Sequence, residues 1–324
     1  MLRVRIGMAA ILASGFLAAT FAQEPTKLTF ETKFEKDKSF YQELTTEVGQ
    51  TVKVQGGSDL NLKHKQIFYF KWTPITIDKE KTVVKQIIEG VKMTVDIAGN
   101  PINYDSTDPN PTGTSSNPGL ADFFKSLVGA EFTVTYGPGM KVEKVDGREE
   151  FLKKLGGANP QMEQLLKKIL SEEALKEMTD PSLGLTPPAA KAVGESWEKK
   201  STLSLGPIGS YERTLKYTAK GKDPQNKTLE RIEVEAKLEY KPPTDQLDGL
   251  LFRIKSGKLE TINPKPGVIL YNPQLNRVES AEIALTMRGS LNVTIGTTDT
   301  MVELQQDQKT TTRIGDKSFL PEKK

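Results

Sequence analysis

The sequence predicts an α+β protein, mainly antiparallel β, in which two β-meander halves form a curved sheet or half-barrel with a helical insert between them. Three observations lead there. Apolar and charged residues alternate with a period of two on both sides of the chain. A helical stripe of period 3.6 separates those stretches. No strand–helix–strand alternation appears, which argues against a doubly wound parallel sheet.

The clearest strand runs from Thr228 to Tyr240. Ile232, Val234, Ala236, Leu238 and Tyr240 point one way, and Glu233, Glu235, Lys237 and Glu239 point the other. That is the pattern of an antiparallel sheet with one wet face. On the N-terminal side, Leu28, Phe30, Thr32 and Phe34 alternate with polar residues, and Phe40, Gln42, Leu44, Thr46 and Val48 continue the pattern weakly. Gln66 to Trp72 is apolar in both phases, as a strand covered on both faces would be. Val91, Met93, Val95 and Ile97 form a further strand, turned by Ala98-Gly99-Asn100-Pro101. The Pro- and Asn-rich residues 106–118 predict an exposed loop or flap, followed by a short helix near 120–128. Phe132, Val134 and Tyr136 then form a hairpin with Met140, Val142 and Val145 around Gly137-Pro138-Gly139.

In the middle, Asp146 is placed to cap a helix, with Glu149 in capping-box position and Gly156 as its stop. Asn159 and Pro160 open a second helix whose Met162, Leu165, Leu166, Ile169 and Leu170 make an amphipathic stripe. Ser171 starts a third, through Met178. The Pro-rich stretch from Asp180 to Val193 is a crossover. Strands resume at Glu195 and include Leu250 to Leu259, Gly267 to Tyr271, Ala281 to Met287 and Leu291 to Leu304, with Ser256-Gly257 and Asn272-Pro273 as turns. The division expected is therefore 1–22 an export signal, 23–145 an N-terminal meander, 146–193 the helical insert and crossover, 194–315 a C-terminal meander, and 316–324 a frayed tail.

The export signal rests on Arg3 and Arg5 ahead of an apolar run from Ile6 to Ala19, with Thr20-Phe21-Ala22 offering small residues for cleavage after Ala22. The run is short of the roughly 20 residues that a spanning helix needs. Its removal leaves no transmembrane span, and an exported chain, periplasmic or extracellular, is expected.

Composition removes several chemistries. With no Cys and one His, thiol catalysis, disulfide frameworks and nearly all zinc sites are excluded. The 45 Lys and Arg are interleaved with 42 Asp and Glu, so no nucleic-acid stripe is present. His64 lies between Lys63 and Lys65 and reads as a strand residue. Asp105, Asp108 and Asn110 carry hard oxygens, but their spacing is not that of an EF-hand and no metal site is expected. No phosphate-cradling glycine motif occurs. No catalytic residue and no cofactor are expected.

Three short segments carry a resemblance. Val91 to Asp96 with Tyr104-Asp105-Ser106, Glu131 to Val145, and Val193 to Trp197 together resemble an uncharacterised family of secreted bacterial proteins, a domain of unknown function. The resemblance implies no catalytic residue and no ligand. The meanders are also similar in architecture to the half-barrels of bacterial lipoprotein carriers.

These readings favour a non-catalytic binding protein of the bacterial cell envelope. It would hold a lipid or other apolar or amphiphilic molecule between sheet and helices, lined by Phe68, Phe70, Trp72, Met93, Leu165 and Ile169. The alternatives are an envelope scaffold binding another protein, and a hydrolase using paired carboxylates.

Overall fold

The computed structural model describes residues 27–108, 118–158, 166–167, 170–179, 185–244, 252–262 and 265–321. The expected export signal, most of the 106–118 loop and most of the second helix lie outside them.

Among the described residues thirteen strands form one antiparallel sheet: β1 (Phe40–Val54), β2 (Leu60–Ile77), β3 (Thr82–Ile97), β4 (Asn100–Asp105), β5 (Glu131–Tyr136), β6 (Val142–Asp146), β7 (Ser196–Ser204), β8 (Ser210–Lys222), β9 (Glu230–Lys241), β10 (Phe252–Ile262), β11 (Gly267–Asn272), β12 (Arg277–Ile295) and β13 (Thr298–Gly315). The order across the sheet is β6-β5-β3-β2-β1-β13-β12-β10-β9-β8-β7, with β11 bridging β12 and β9, and β4 on β3. The first and last strands are thus central neighbours, paired from Tyr41↔Gly315 to Val54↔Val302. Among the described residues, α1 (Pro118–Leu127) falls between β4 and β5 within the first half, and α2 (Arg148–Ala158) and α3 (Glu172–Met178) fall between β6 and β7. The seven-residue α3, about 10 Å long at 1.5 Å per residue, touches both β6 and β7, the two ends of the sheet path. The sheet therefore curls until one short helix spans its free edges.

Why these strands form is visible in their side-chain phases. Inner positions carry Trp72, Val84, Val91, Val134, Tyr217, Ile232, Val234 and Ile269, all buried in one cluster that spans both halves. Outer positions carry cross-strand ion pairs, among them Glu47–Lys65 at 2.6 Å, Glu282–Lys309 at 2.9 Å and Lys92–Asp105 at 3.0 Å. Such exposed pairs are worth about 0–1 kcal/mol each, so the inner face supplies the stability. Buried aromatic tips satisfy the carbonyls of irregular segments: Trp197 Nε1 donates to Leu185 O at 2.8 Å, Tyr136 Oη to Thr179 O at 2.9 Å, and Tyr271 Oη to Glu31 O at 2.6 Å.

Several expectations are corrected here. Leu28 to Phe34 is no strand beyond one bridge, Leu28↔Lys191. Phe30 takes a positive φ of 51° and ends the extended run. Its ring stacks on Trp197, while Phe34 stacks on Phe40. The alternating aromatics serve a strap across the core. Asp146 does not cap α2. It closes β6 opposite Thr133, and Gly147, with φ of 100°, makes the corner that α2 leaves from. The helix then runs through Gly156 to Ala158. Ser256-Gly257 is no turn but runs on inside β10, paired with Asn292 and Leu291 just after a bulge at Lys255, and a Cβ at Gly257 would lie 2.3 Å from the Leu291 side chain. Leu291 to Leu304 is two strands, folded back at Gly296 with φ of 61°. The sequence reading also passed over β8. In the tail, Arg313 lies over the Phe319 ring at 4.7 Å, and Leu320 occupies the space that a side chain at Gly90 would need, against Tyr69. That contact covers the outward aromatic of β2.

Trp72, 1% exposed, donates from Nε1 to Gln42 Oε1 at 3.1 Å, and Gln42 is itself buried. Trp72→Ala is expected to cost about 3–5 kcal/mol in urea unfolding. Trp72→Phe, which keeps a ring but strands the glutamine amide, is expected to cost about 1–3 kcal/mol.

Candidate functional site in the middle of the inner face

The inner phase of β13 reads Val302, Leu304, Gln306, Gln308, Thr310, Thr312, Ile314. Its two ends are core: Ile314 belongs to the main cluster, and Val302 and Leu304 to a second with Tyr240, Ile254, Leu259 and Val293. Between them stand four consecutive inward amides and hydroxyls. The paired inner phase of β1 repeats the theme, with Phe40 at one end, Val52 and Val54 at the other, and Gln42, Thr46 and Gln50 among the residues between. Two central strands thus carry a polar band on the face that is apolar elsewhere.

A cavity of about 490 Å³ lies on this band. Its floor is Gln42 and Leu44 of β1 with Gln306, Gln308, Thr310 and Thr312 of β13. Ile283, Leu285 and Met287 of β12 form one wall. The opposite wall is Ala236 and Leu238 of β9, Tyr211, Arg213 and Leu215 of β8, and Leu203 with Leu205. The sheet bends between these walls because β10 meets β9 only at Glu260↔Glu239, leaving β11 to carry most of the bridging.

The polar groups are held in a chain. Gln306 Nε2 donates to Gln308 Oε1 at 3.2 Å, and Gln308 Nε2 to Thr310 Oγ1 at 3.3 Å. Each amide nitrogen carries a second hydrogen beyond that bond. On the far wall, Arg213 Nε donates to Ser201 Oγ at 3.0 Å. Burial raises the Tyr211 hydroxyl above its ordinary range, and burial with the neighbouring Tyr211 pushes Tyr240 up to about 12, so both remain donors at neutral pH. The lining offers hydrogen bonds, one guanidinium and extensive apolar surface; what it can do is hold a molecule.

Of the residues expected to line a ligand, Phe68, Phe70 and Trp72 do occupy the inner phase of β2. Phe68 stacks on Phe70 at 5.7 Å, and Trp72 stacks on Phe40 at 5.9 Å. They pack with the main cluster beside the cavity and are not among its described lining. Met93 is buried and borders a different depression of about 540 Å³, between β3, β4 and α1. Leu165 and Ile169 lie outside the described residues. In that second depression Asp105 Oδ1 accepts from Thr107 N and Oγ1, and Oδ2 pairs with Lys92. Burial pushes the Asp105 carboxyl upward, but these contacts outweigh it and hold it below the usual range. No group of three metal-ligating side chains occurs among the described residues. A third depression, about 860 Å³, lies on the outer face around Gly49, ringed by Lys63, Lys65, Glu47, Asp307 and Lys309.

Sequence reasoning missed Gln306 to Thr312 and Arg213. One signal was present: β8 reads Tyr211, Arg213, Leu215, Tyr217, Ala219 in its inward phase, so the arginine breaks an apolar run in register.

His64 faces inward on β2 opposite Val48 and Val95. Burial lowers its pKa below the ordinary histidine value, against a weaker opposing hydrogen bond with Gln66. A histidine depressed in the fold takes up its proton more readily when unfolded, so stability declines as pH falls from its unfolded value near 6.5 through the folded one. The urea midpoint is therefore expected to drop between pH 7 and pH 5, and to drop less in His64→Gln.

A family model described as a family of unknown function, DUF6263, matches residues 79–257, from the turn before β3 into β10. No curated protein matches the chain. Among solved structures, one described as lipid–protein interactions in lipovitellin aligns at 10% identity over 85% of this chain and 25% of that one, with a TM-score of 0.44. This chain thus spans about a quarter of that protein's length. DynF from the dynemicin biosynthesis pathway of Micromonospora chersina aligns at 8% identity over 93% and 92% of the two chains, TM-score 0.17. The translocator domain of the autotransporter NalP from Neisseria meningitidis aligns at 7% over 87% and 90%, TM-score 0.22.

Proposed function

We propose that this chain, which belongs to the DUF6263 family of unknown function, is an exported, non-catalytic binding protein of the cell envelope that carries one apolar or amphiphilic small molecule in its inner cavity. The observation that carries the reading is the band of inward amides and hydroxyls on β1 and β13, flanked by apolar core at both ends. A sheet that only had to be stable would fill those positions with aliphatic side chains. Here the space is left open, walled by Leu203, Leu238, Ile283, Leu285 and Met287, with hydrogen-bonding groups along one side. Small-molecule sites have this composition and run to about 300–1,000 Å³, a range that includes this cavity. Export is supported by the charged, apolar and small-residue pattern of residues 1–22. Among the described residues α3 spans the sheet's free edges, and no helical residue lines the cavity.

The test is a fluorescence titration of the purified full chain, after organic extraction and refolding, with N-phenyl-1-naphthylamine. Saturable binding is expected. Leu238→Trp and Met287→Trp, which fill the cavity from opposite walls, are each expected to weaken it by about tenfold or more while the urea midpoint holds or rises. A wild-type chain that binds no probe, or fillers that leave binding unchanged, would end this reading.

A further inference from the structure

Polar and apolar surface in the cavity are divided lengthwise. The inner phase of β13 contributes Gln306, Gln308, Thr310 and Thr312, and the inner phase of β12 contributes Met287, Leu285 and Ile283. The two rows are registered neighbours: Gln306↔Met287, Gln308↔Leu285 and Thr310↔Ile283. Adjacent strands lie about 4.8 Å apart, and alternate residues of one strand about 7 Å apart. A line of hydrogen-bonding groups thus runs along the cavity beside a line of aliphatic ones, and Leu215, Ala236 and Leu238 continue the aliphatic surface on the opposite wall. Neither row changes character from one end to the other. A molecule with a polar head and an apolar tail would need the boundary to cross the strands, and here it runs parallel to them.

Formal charge is nearly absent from the lining. Among the described residues that form it there is no Asp, Glu or Lys, and its one arginine, Arg213, is engaged by the protein itself, with Ser201 Oγ among its partners. The groups on offer to a ligand are neutral. Gln306, Gln308 and Thr310, bonded in sequence, still hold a second N–H on each amide and the O–H of the threonine. Hydrocarbon laid over such donors leaves them unsatisfied, which weakens binding. Oxygens spaced along one edge of the ligand meet them.

Resting on the binding reading above, we infer that the ligand is an uncharged facial amphiphile, a molecule whose hydroxyl or ether oxygens line one long edge and whose other side is hydrocarbon. Its polar edge lies on Gln306, Gln308 and Thr310, and its hydrocarbon side lies against Leu238, Leu285 and Met287.

Two steroids of one carbon skeleton test this by displacing N-phenyl-1-naphthylamine from the full-length protein, each below its solubility limit. One is a cholane triol with all three hydroxyls on the same face. The other is the cholane mono-ol that keeps only the hydroxyl of the terminal ring. Wild type is expected to take the triol about tenfold more tightly, although the mono-ol is the more apolar molecule. The double variant Gln308→Leu, Thr310→Val is expected to bring the triol to the level of the mono-ol, with the mono-ol held no more weakly than by wild type. If wild type takes the mono-ol as tightly as the triol, or if the folded double variant keeps the preference, the inference falls while the cavity reading stands. The wild-type comparison decides without any variant. If the probe itself does not bind, the cavity reading fails first and this inference falls with it.

Discussion

The pairing of β1 with β13 is the constraint on which the rest depends. Fourteen registered positions join residues near the two ends of the chain, and every other strand is placed outward from that seam, β2, β3, β5 and β6 on one side and β12 to β7 on the other. Loop-closure entropy grows only logarithmically with length, so the long separation costs little in stability. It costs more in rate, since a contact between chain ends waits on a wide search. Once formed, the seam fixes which phase of both halves faces inward, because a slip of one residue would turn Val302, Leu304 and Ile314 to water together.

That same seam bears the polar band, and the coincidence has energetic content. Fully burying an aliphatic side chain is worth about 1.5–3 kcal/mol. Four inward positions on β13 given to Gln and Thr forgo a sum comparable with the roughly 5–15 kcal/mol net stability of a domain. The deficit is tolerable because the flanking clusters are dense: Trp72, Val84, Val134, Ile232 and Ile269 at one end, and Leu259, Val293, Val302 and Leu304 at the other. Where a sequence departs from its own local rule at that cost, function is the usual reason.

The same physics governs what could be read beforehand. Strong alternation marks β3, β5, β6 and β9, whose inner faces are mostly apolar, with Gln86 of β3 and Glu230 of β9 as buried exceptions. Positions 40–48 registered only as a weak strand, and the last strand was traced no further than Leu304. Both readings faded where the inward residues become Gln42, Thr46, Gln306 and Gln308, which is where the cavity begins. Periodicity of apolar residues finds core, and a cavity with a polar side is a break in that periodicity. The strap at Leu28–Phe34 failed in the opposite sense. Its aromatics alternate for packing against Trp197, Tyr271, Phe40 and Tyr136 across a gap no local rule records. In β2 the aromatics split between the faces: Tyr69 points outward, while Phe68 stacks on Phe70 and Trp72 on Phe40, rings that back the cavity wall.

The direction in which the sheet presents its charges bears on what kind of barrel-like object this is. A membrane-spanning barrel carries an apolar band of about 25 Å on its outside and polar groups within. Here the outward phases of β1, β2, β12 and β13 hold Glu43, Glu47, Lys63, Lys65, Glu282, Arg288, Asp307, Lys309 and Arg313, many paired across strands, as Glu43–Arg313 and Glu47–Lys65 are. These are the central strands and among the longest, so the charged belt lies where a lipid-facing band would have to be. Among the described residues no helix is long and apolar enough to cross a membrane either. The sheet's outside is built for water and its inside for hydrocarbon, interrupted by one polar stripe. That arrangement is what supports the proposed carriage of an apolar molecule, with the stripe as the place for its polar groups.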